Sequence, residues 1–132
     1  MKFTILGFSQ PAAYDLGLDV NDLAILRWFI DFKESGYMNK KVIDGKEFYL
    51  VIYEYVLEDL PILYMKKDAV YRRFKKMCDK KILERRTINE GGKFPYFAID
   101  ENYAKLVDFT FIDEFIANLK KDDDACWDLY KS

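Results

Sequence analysis

Lys66-Lys-Asp-Ala-Val-Tyr-Arg-Arg-Phe-Lys-Lys-Met-Cys-Asp-Lys-Lys81 is the stretch that decides the fold. Val70, Phe74, Met77 and Cys78 recur at i, i+4, i+7 and i+8, the spacing of a single helical face. Arg72, Lys75, Lys76 and Asp79 project from the other side. The pattern predicts an amphipathic helix, apolar toward a core and basic toward its surroundings. Upstream, Glu54 to Leu60 reads as a short helix stopped by Pro61, because proline cannot continue a helix. Ile62, Leu63 and Tyr64 make a brief connection. Downstream, Ile82 to Ile88 and Phe94 to Ile99 read as strands, joined through Asn89-Glu-Gly-Gly-Lys93 as a hairpin loop.

Working toward the N-terminus, Asp44-Gly45 sits between two β-prone runs in Lys41-Val-Ile-Asp-Gly-Lys-Glu-Phe-Tyr-Leu-Val-Ile-Tyr53. A type I′ turn needs positive φ at both central residues, which Asp-Gly supplies, so a second hairpin is expected. Before it, Leu23, Ile25, Leu26, Trp28, Phe29, Ile30 and Phe32 fill a helix. Asp19 or Asn21 caps its start and Gly36 stops it. Apolar residues lie nearly all round, so this helix is read as the central buried one. A first short helix spans Gln10 to Leu16, with Pro11 in its opening turn. Near the other end, Asp100 is read as the cap of a short helix through Val107. Thr110 then caps an amphipathic helix carrying Phe111, Ile112, Phe115, Ile116 and Leu119. It either packs on its own domain or pairs with another copy, and both readings stay open. An acidic tail follows from Asp122.

The expected order is helix, helix, hairpin, short helix, basic helix, hairpin, helices. That is an α+β class, with the order of a winged helix-turn-helix preceded by an additional β-hairpin and followed by a C-terminal helix. Residues 1–107 form the DNA-binding domain on this reading, and residues 108–132 the C-terminal helix and tail.

With 132 residues the chain fits one domain, and at 51% apolar and 33% charged residues it has the balance of a folded globular protein. No apolar run approaches the roughly 20 residues of a membrane helix, and no signal peptide is read, so the expectation is cytoplasmic with no membrane partner. Two cysteines without a C-x-x-C spacing suit a reducing compartment, with Cys78 as a small core hydrophobe. The absence of histidine removes Ser-His and Cys-His catalysis and the common zinc sets. No P-loop or G-x-G-x-x-G occurs. The chain is therefore read as neither an enzyme nor a cofactor binder. Glu58 and Asp59 are adjacent on a helix and do not face each other, so they are no acid/base pair. Asp122 to Asp124 lack calcium-loop spacing and read as solvated. Phe48, Tyr49, Tyr53, Tyr55 and Trp28 read as packed aromatics rather than a stacking platform.

Net charge is -2, which argues against nucleic acid until its distribution is read. Lys66 to Lys93 holds 11 Lys and Arg against 4 Asp and Glu, leaving the remainder of the chain acidic. Charge separated this way makes a positive face on an acidic body. Phosphate neutralisation needs such a face, and base edges in the major groove need donors on it. Arg72 and Lys75 are the base-edge candidates, with Tyr71 at the border. Lys66 and Lys67 suit phosphates, and Lys76 is a further DNA-binding candidate. Arg85, Arg86 and Lys93 would bring cations to the wing. A basic helix face taken alone is read equally well as a solvated surface. The short helix before it and the Gly-Gly hairpin after it favour DNA.

Several runs also carry a resemblance. Leu16-Gly-Leu-Asp-Val-Asn-Asp-Leu-Ala-Ile-Leu-Arg-Trp-Phe-Ile-Asp-Phe-Lys-Glu-Ser-Gly36, Ile43-Asp-Gly-Lys-Glu-Phe-Tyr49, Tyr53-Glu-Tyr55, Glu58-Asp-Leu-Pro-Ile-Leu63, Lys67-Asp-Ala-Val-Tyr-Arg-Arg-Phe-Lys-Lys76 and Ile82-Leu-Glu84 occur in order. Together they resemble the N-terminal winged-helix domain of DnaD-like replisome organisers of Firmicutes phages and plasmids. The resemblance implies origin or single-strand engagement, self-association and recruitment of helicase-loading machinery. It puts Lys67, Tyr71, Arg72 and Lys75 in the recognition helix. Such proteins continue into a linker and a second domain, whereas about thirty residues, acidic on balance, follow here. The expected partners are double-stranded DNA, a second copy through the C-terminal or N-terminal helices, and a replication or host-defence protein. Two other roles fit the same fold: a small transcriptional regulator, and a protein-binding inhibitor of host defence of the anti-CRISPR kind.

Overall fold

Asp19 decides where the longest helix begins. Its carboxylate accepts from the backbone N–H of Asp22 at 2.8 Å, and the Asp22 carboxylate accepts from the Asp19 N–H at 3.0 Å. This reciprocal box satisfies two amides that a helix start otherwise leaves unpaired. The helix, α2 (Val20–Ser35), ends at Gly36, whose φ of 80° is the left-handed conformation that glycine adopts without a Cβ penalty. Leu23, Ile25, Leu26, Phe29 and Ile30 are buried along it, as expected of the central helix.

The computed structural model describes residues 1–110 and 117. Among them lie five helices and two antiparallel sheets. Ahead of α2, β1 (Thr4–Ile5) and β2 (Phe8–Ser9) form a small hairpin, and Ser9 caps α1 (Gln10–Asp15) by accepting from the Ala12 N–H. The hairpin was not anticipated, since two-residue strands carry no periodicity to read. After α2 come β3 (Lys40–Ile43) and β4 (Lys46–Leu50), joined by Asp44 and Gly45 at φ 53° and 77°, the two positive values that a type I′ turn requires.

α3 (Tyr53–Asp59) begins a residue earlier than expected, and Pro61–Leu63 forms a single 3-10 turn before α4 (Lys67–Asp79). The Trp28 indole N–H donates to Asp59 Oδ2 at 2.6 Å and ties α3 to α2. α4 stops two residues short of Lys81. There the Ile82 N–H reaches back to the Met77 carbonyl and the Lys81 N–H to that of Cys78, a Schellman-type closure with Lys81 left-handed at φ 57°. β5 (Leu83–Asn89) and β6 (Lys93–Ile99) follow, then α5 (Tyr103–Leu106). Asn102, not Asp100, occupies the cap position of α5. Asp100 accepts instead from the adjacent Glu101 N–H.

The two hairpins are one sheet. Its order is β3-β4-β6-β5, and the join is a short antiparallel ladder pairing Tyr49 with Phe97 and Leu50 with Tyr96. On the face turned to α2 and α4, Tyr49, Phe97 and Leu83 join the main core. Phe74 of α4 sits at its centre, 4.8 Å from the Phe97 ring and 6.4 Å from the Phe29 ring. The opposite face buries a separate cluster of Phe48, Tyr96 and Ala98, flanked by Ile43, Leu50 and Ile88. The aromatic residues expected to form one group are therefore divided. Trp28, Tyr49 and Tyr53 lie in the main core, Phe48 lies on the other side of the sheet, and Tyr55 is half exposed.

Among the described residues no helix is long and apolar enough to cross a membrane. The helix expected from Thr110 to Lys121, Cys126 and the acidic tail fall outside the described residues, except for Thr110 and Ala117.

Candidate nucleic-acid interface

α4 buries Val70, Phe74 and Met77 and turns its remaining surface outward. Lys66, Lys67, Arg72 and Lys75 are exposed there, with Tyr71 half-buried at the border. Lys67, Tyr71 and Lys75 follow one another at i+4 and share a stripe. Lys67 Nζ lies 2.8 Å from Glu54 Oε1 on α3, and Arg72 pairs with Asp68 one turn back at 3.2 Å. Both pairs are solvated and weak. Lys66 and Lys75 have no ion-pair partner among the described residues.

The α4 cations divide into two groups. Arg73 and Lys76 point toward α2, where both hold the Asp22 carboxylate, Arg73 at 3.0 Å and Lys76 at 2.6 Å. Asp22 is fully buried, and Arg73 also pairs with Asp19. Burial pushes the Asp19 carboxyl upward, but the hydrogen bonds from Arg73 and the Asp22 amide and the charges of Arg73 and Lys76 outweigh it and bring it to about 2. Lys76, expected to contact DNA, is thus engaged inside the protein.

The strand alternation separates Arg85 from Arg86. Arg85 pairs across the ladder with Phe97 and faces α4, its guanidinium 5.6 Å from the Tyr71 ring centre. Arg86 emerges on the opposite face, 5.8 Å from the Phe48 ring centre, with Asp44 at 3.2 Å and Glu84 at 3.5 Å. One of the two β5 arginines therefore shares a side of the sheet with the basic helix. Lys93, at the start of β6, is exposed and has no ion-pair partner among the described residues.

Lys67, Tyr71, Arg85 and Lys93 line one open cleft of about 440 Å³ between α3, α4 and the β5–β6 hairpin. Tyr53 and Glu54 complete its α3 side, and neither is among the site residues expected from the sequence. Tyr53 reads there as one more strand or core aromatic, and nothing local reveals that its hydroxyl lies buried without a hydrogen-bond partner. Burial pushes that hydroxyl above the ordinary phenol range, with the charge of Arg85 opposing it, so it stays a neutral phenol. Lys67 holds the Glu54 carboxyl below its ordinary range. A shallower depression lined by Tyr53, Lys67, Asp68 and Tyr71 adjoins the cleft.

Cys78 sits half-buried on α4, and desolvation pushes its thiol up to about 11, which makes it inert as a nucleophile. Among the described residues no group of three or more Cys, Asp and Glu is arranged to hold a metal ion. No family model matches the chain, and no curated protein or solved structure matches it significantly.

Proposed function

We propose that the protein is a winged-helix module that binds duplex DNA, with α4 in the major groove and the β5–β6 hairpin against the backbone or minor groove. The observation that carries this reading is the convergence of unburied cations from two elements. Lys67 of α4 and Arg85 and Lys93 of the hairpin border one cleft, and Lys66, Arg72 and Lys75 are exposed at and along α4, while the apolar face of α4 is consumed by the core. A helix with free donors flanked by a basic hairpin matches the groove-plus-backbone contact of helix-turn-helix readers. The connectivity supports it too. Helix α2, the β3–β4 hairpin, helices α3 and α4 and the β5–β6 hairpin follow one another, and β6 pairs with β4. The resemblance to phage and plasmid replisome organisers favours a role in replication, with a transcriptional operator as the other kind of site.

The test is fluorescence anisotropy on duplexes from the native locus, titrated against salt. Binding that falls steeply with salt, and at least tenfold weaker binding by the Arg72→Ala/Lys75→Ala double variant with unchanged circular dichroism, is the expected outcome. No binding at low salt would overturn the reading.

A second reading, a protein partner, is favoured by the turn between α3 and α4. Ile62 and Tyr64 are 75% and 92% exposed there. Large apolar side chains left in solvent at one turn suit a protein contact better than a phosphate one. Ile62→Ser/Tyr64→Ser would abolish capture of such a partner and leave duplex affinity unchanged.

A further inference from the structure

The outer face of the sheet is buried, yet no described helix lies on it. Register puts Lys41, Phe48, Tyr96, Ala98 and Arg86 on this face, the side turned away from α2 and α4. Phe48 has no exposed surface, Ala98 has 1% and Tyr96 6%. Neighbouring strands stand roughly 4.8 Å apart, so side chains on one face shield each other's flanks but not their tops. Two cations at the rim supply part of a roof. The Arg86 guanidinium lies 5.8 Å from the Phe48 ring centre, and Lys41 Nζ lies 5.8 Å from the Tyr96 ring centre. The described helices supply none of it. The buried apolar residues of α1 to α5 all belong to the main core, and Ile43, Leu50 and Ile88, packed against the outer cluster, come from the strands themselves.

The chain after α5 has the chemistry to complete the cover. The Thr110 N–H donates to the Asp108 carboxylate at 3.0 Å, and Thr110 is helical. Ala117 is helical too, and exposed. At about 100° per residue, Phe111, Ile112, Phe115, Ile116 and Leu119 fall within about 140° of arc, and Ala117 lies on the opposite side. An exposed Ala117 is what such a helix presents when the stripe is turned inward. A stripe this wide belongs to a helix packed on a globular body, whereas a coiled-coil seam is narrower. Residues 111–132 also hold six Asp and Glu against three Lys, which complements the cations at the rim of the face. We infer that the outer sheet face is the docking surface for the chain's own residues 110–119, with the apolar stripe seated on Phe48, Tyr96 and Ala98. The sheet is then a middle layer between α2 and α4 on one side and this segment on the other. The stripe is consumed within one chain and does not pair with a second copy.

The test is nuclear Overhauser spectroscopy on the full chain, with isotope-labelled and unlabelled protein mixed so that contacts within a chain and between chains are read separately. Contacts from the Phe48 and Tyr96 rings to the Ile112 and Ile116 methyl groups are expected within one chain. Contacts found only between chains would give the face to a second copy, and that result overturns the inference, as does the absence of any contact. Ile112→Ser/Ile116→Ser should lower the thermal midpoint by roughly 5–10 °C. It should also raise the fluorescence of anilinonaphthalenesulfonate, which binds exposed apolar surface. Ala117→Ser, on the exposed side, should change neither. A double variant with the parent's midpoint and dye signal overturns the inference too. The Overhauser measurement on the parent chain needs no variant and decides the matter even where the double variant fails to fold.

Discussion

Lys76 Nζ lies 2.6 Å from Oδ2 of Asp22, a carboxylate with no exposed surface. The contact joins the basic helix to the start of α2 and commits a cation that faces groove or solvent in a simple helical-wheel reading. Arg73 completes the arrangement from one turn earlier on α4. A buried carboxylate held by two cations and an amide hydrogen bond is stable only while its partners remain.

Removing Asp22 should therefore unfold the domain more readily than removing any cation at the surface. Asp22→Ala is expected to cost about 3 kcal/mol in urea denaturation, in the range for breaking a buried pair. Lys76→Met should lower stability and leave duplex affinity within about twofold. Lys75→Met should do the reverse, leaving the urea midpoint in place and weakening DNA binding by a phosphate or base contact. Equal effects of the two on DNA binding would mean that Lys76 leaves Asp22 to meet the duplex.

Acid should weaken the same junction through Asp19. Its carboxyl is lowered from 3.8 to about 2 in the fold. A depressed pKa means that the folded state holds the proton less tightly than the unfolded one. The contribution is thus complete above about pH 4 and is lost as pH falls through about 2. Asp19→Asn retains a capping acceptor but not the charge. Denaturation midpoints between pH 6 and pH 2 should fall less steeply for this variant than for the parent chain. Parallel curves would show that Asp19 adds no acid sensitivity.

Arg85 and Arg86 are neighbours in sequence and opposites in function on the proposed reading. Arg85→Ala should weaken duplex binding several-fold and reduce the slope of log affinity against log salt by about 1, the loss of one phosphate contact. Arg86→Ala should leave both within error and instead loosen the sheet face over Phe48, seen as faster amide exchange in β3 and β4. A salt slope changed by Arg86→Ala would relocate the DNA surface to the other side of the sheet.

Gly45 offers a test of the β3–β4 turn that involves no contact. A Cβ placed there meets nothing within 4 Å, and the backbone φ is +77°. The penalty for Gly45→Ala is then purely conformational, about 1 kcal/mol for a left-handed non-glycine residue. Thermal unfolding monitored by circular dichroism should show the corresponding drop. An unchanged midpoint would mean that the turn relaxes to another type at no cost.

Much of this architecture is legible in short stretches. Asp19, Asp22 and Gly36 delimit α2 through hydrogen bonds and dihedrals that involve only adjacent residues. Asp44-Gly45 specifies its turn for the same reason. The 3.6-residue recurrence of Val70, Phe74 and Met77 identifies α4 and its buried face without reference to the rest of the chain. Where local rules compete, contiguous residues do not decide the outcome. Asp100 reads as a cap but satisfies the next amide instead, and the left-handed conformation that closes α4 falls on Lys81 rather than on a glycine.

What no local rule could supply is the disposition of the charges. The β4–β6 ladder unites two hairpins separated by more than thirty residues, and the β5–β6 register sends Arg85 to one face of that sheet and Arg86 to the other. Packing of α4 across α2 turns Lys76 inward to Asp22 and leaves Lys75, one residue away, in solvent. Helix ends, turns and the apolar stripe of α4 were written in contiguous residues, because their energies are settled within a turn or two of chain. Which cations stay free, and that Lys67, Arg85 and Lys93 border a common cleft with their aromatic neighbours, depended on long-range pairing and face parity, which exist only once the chain has folded.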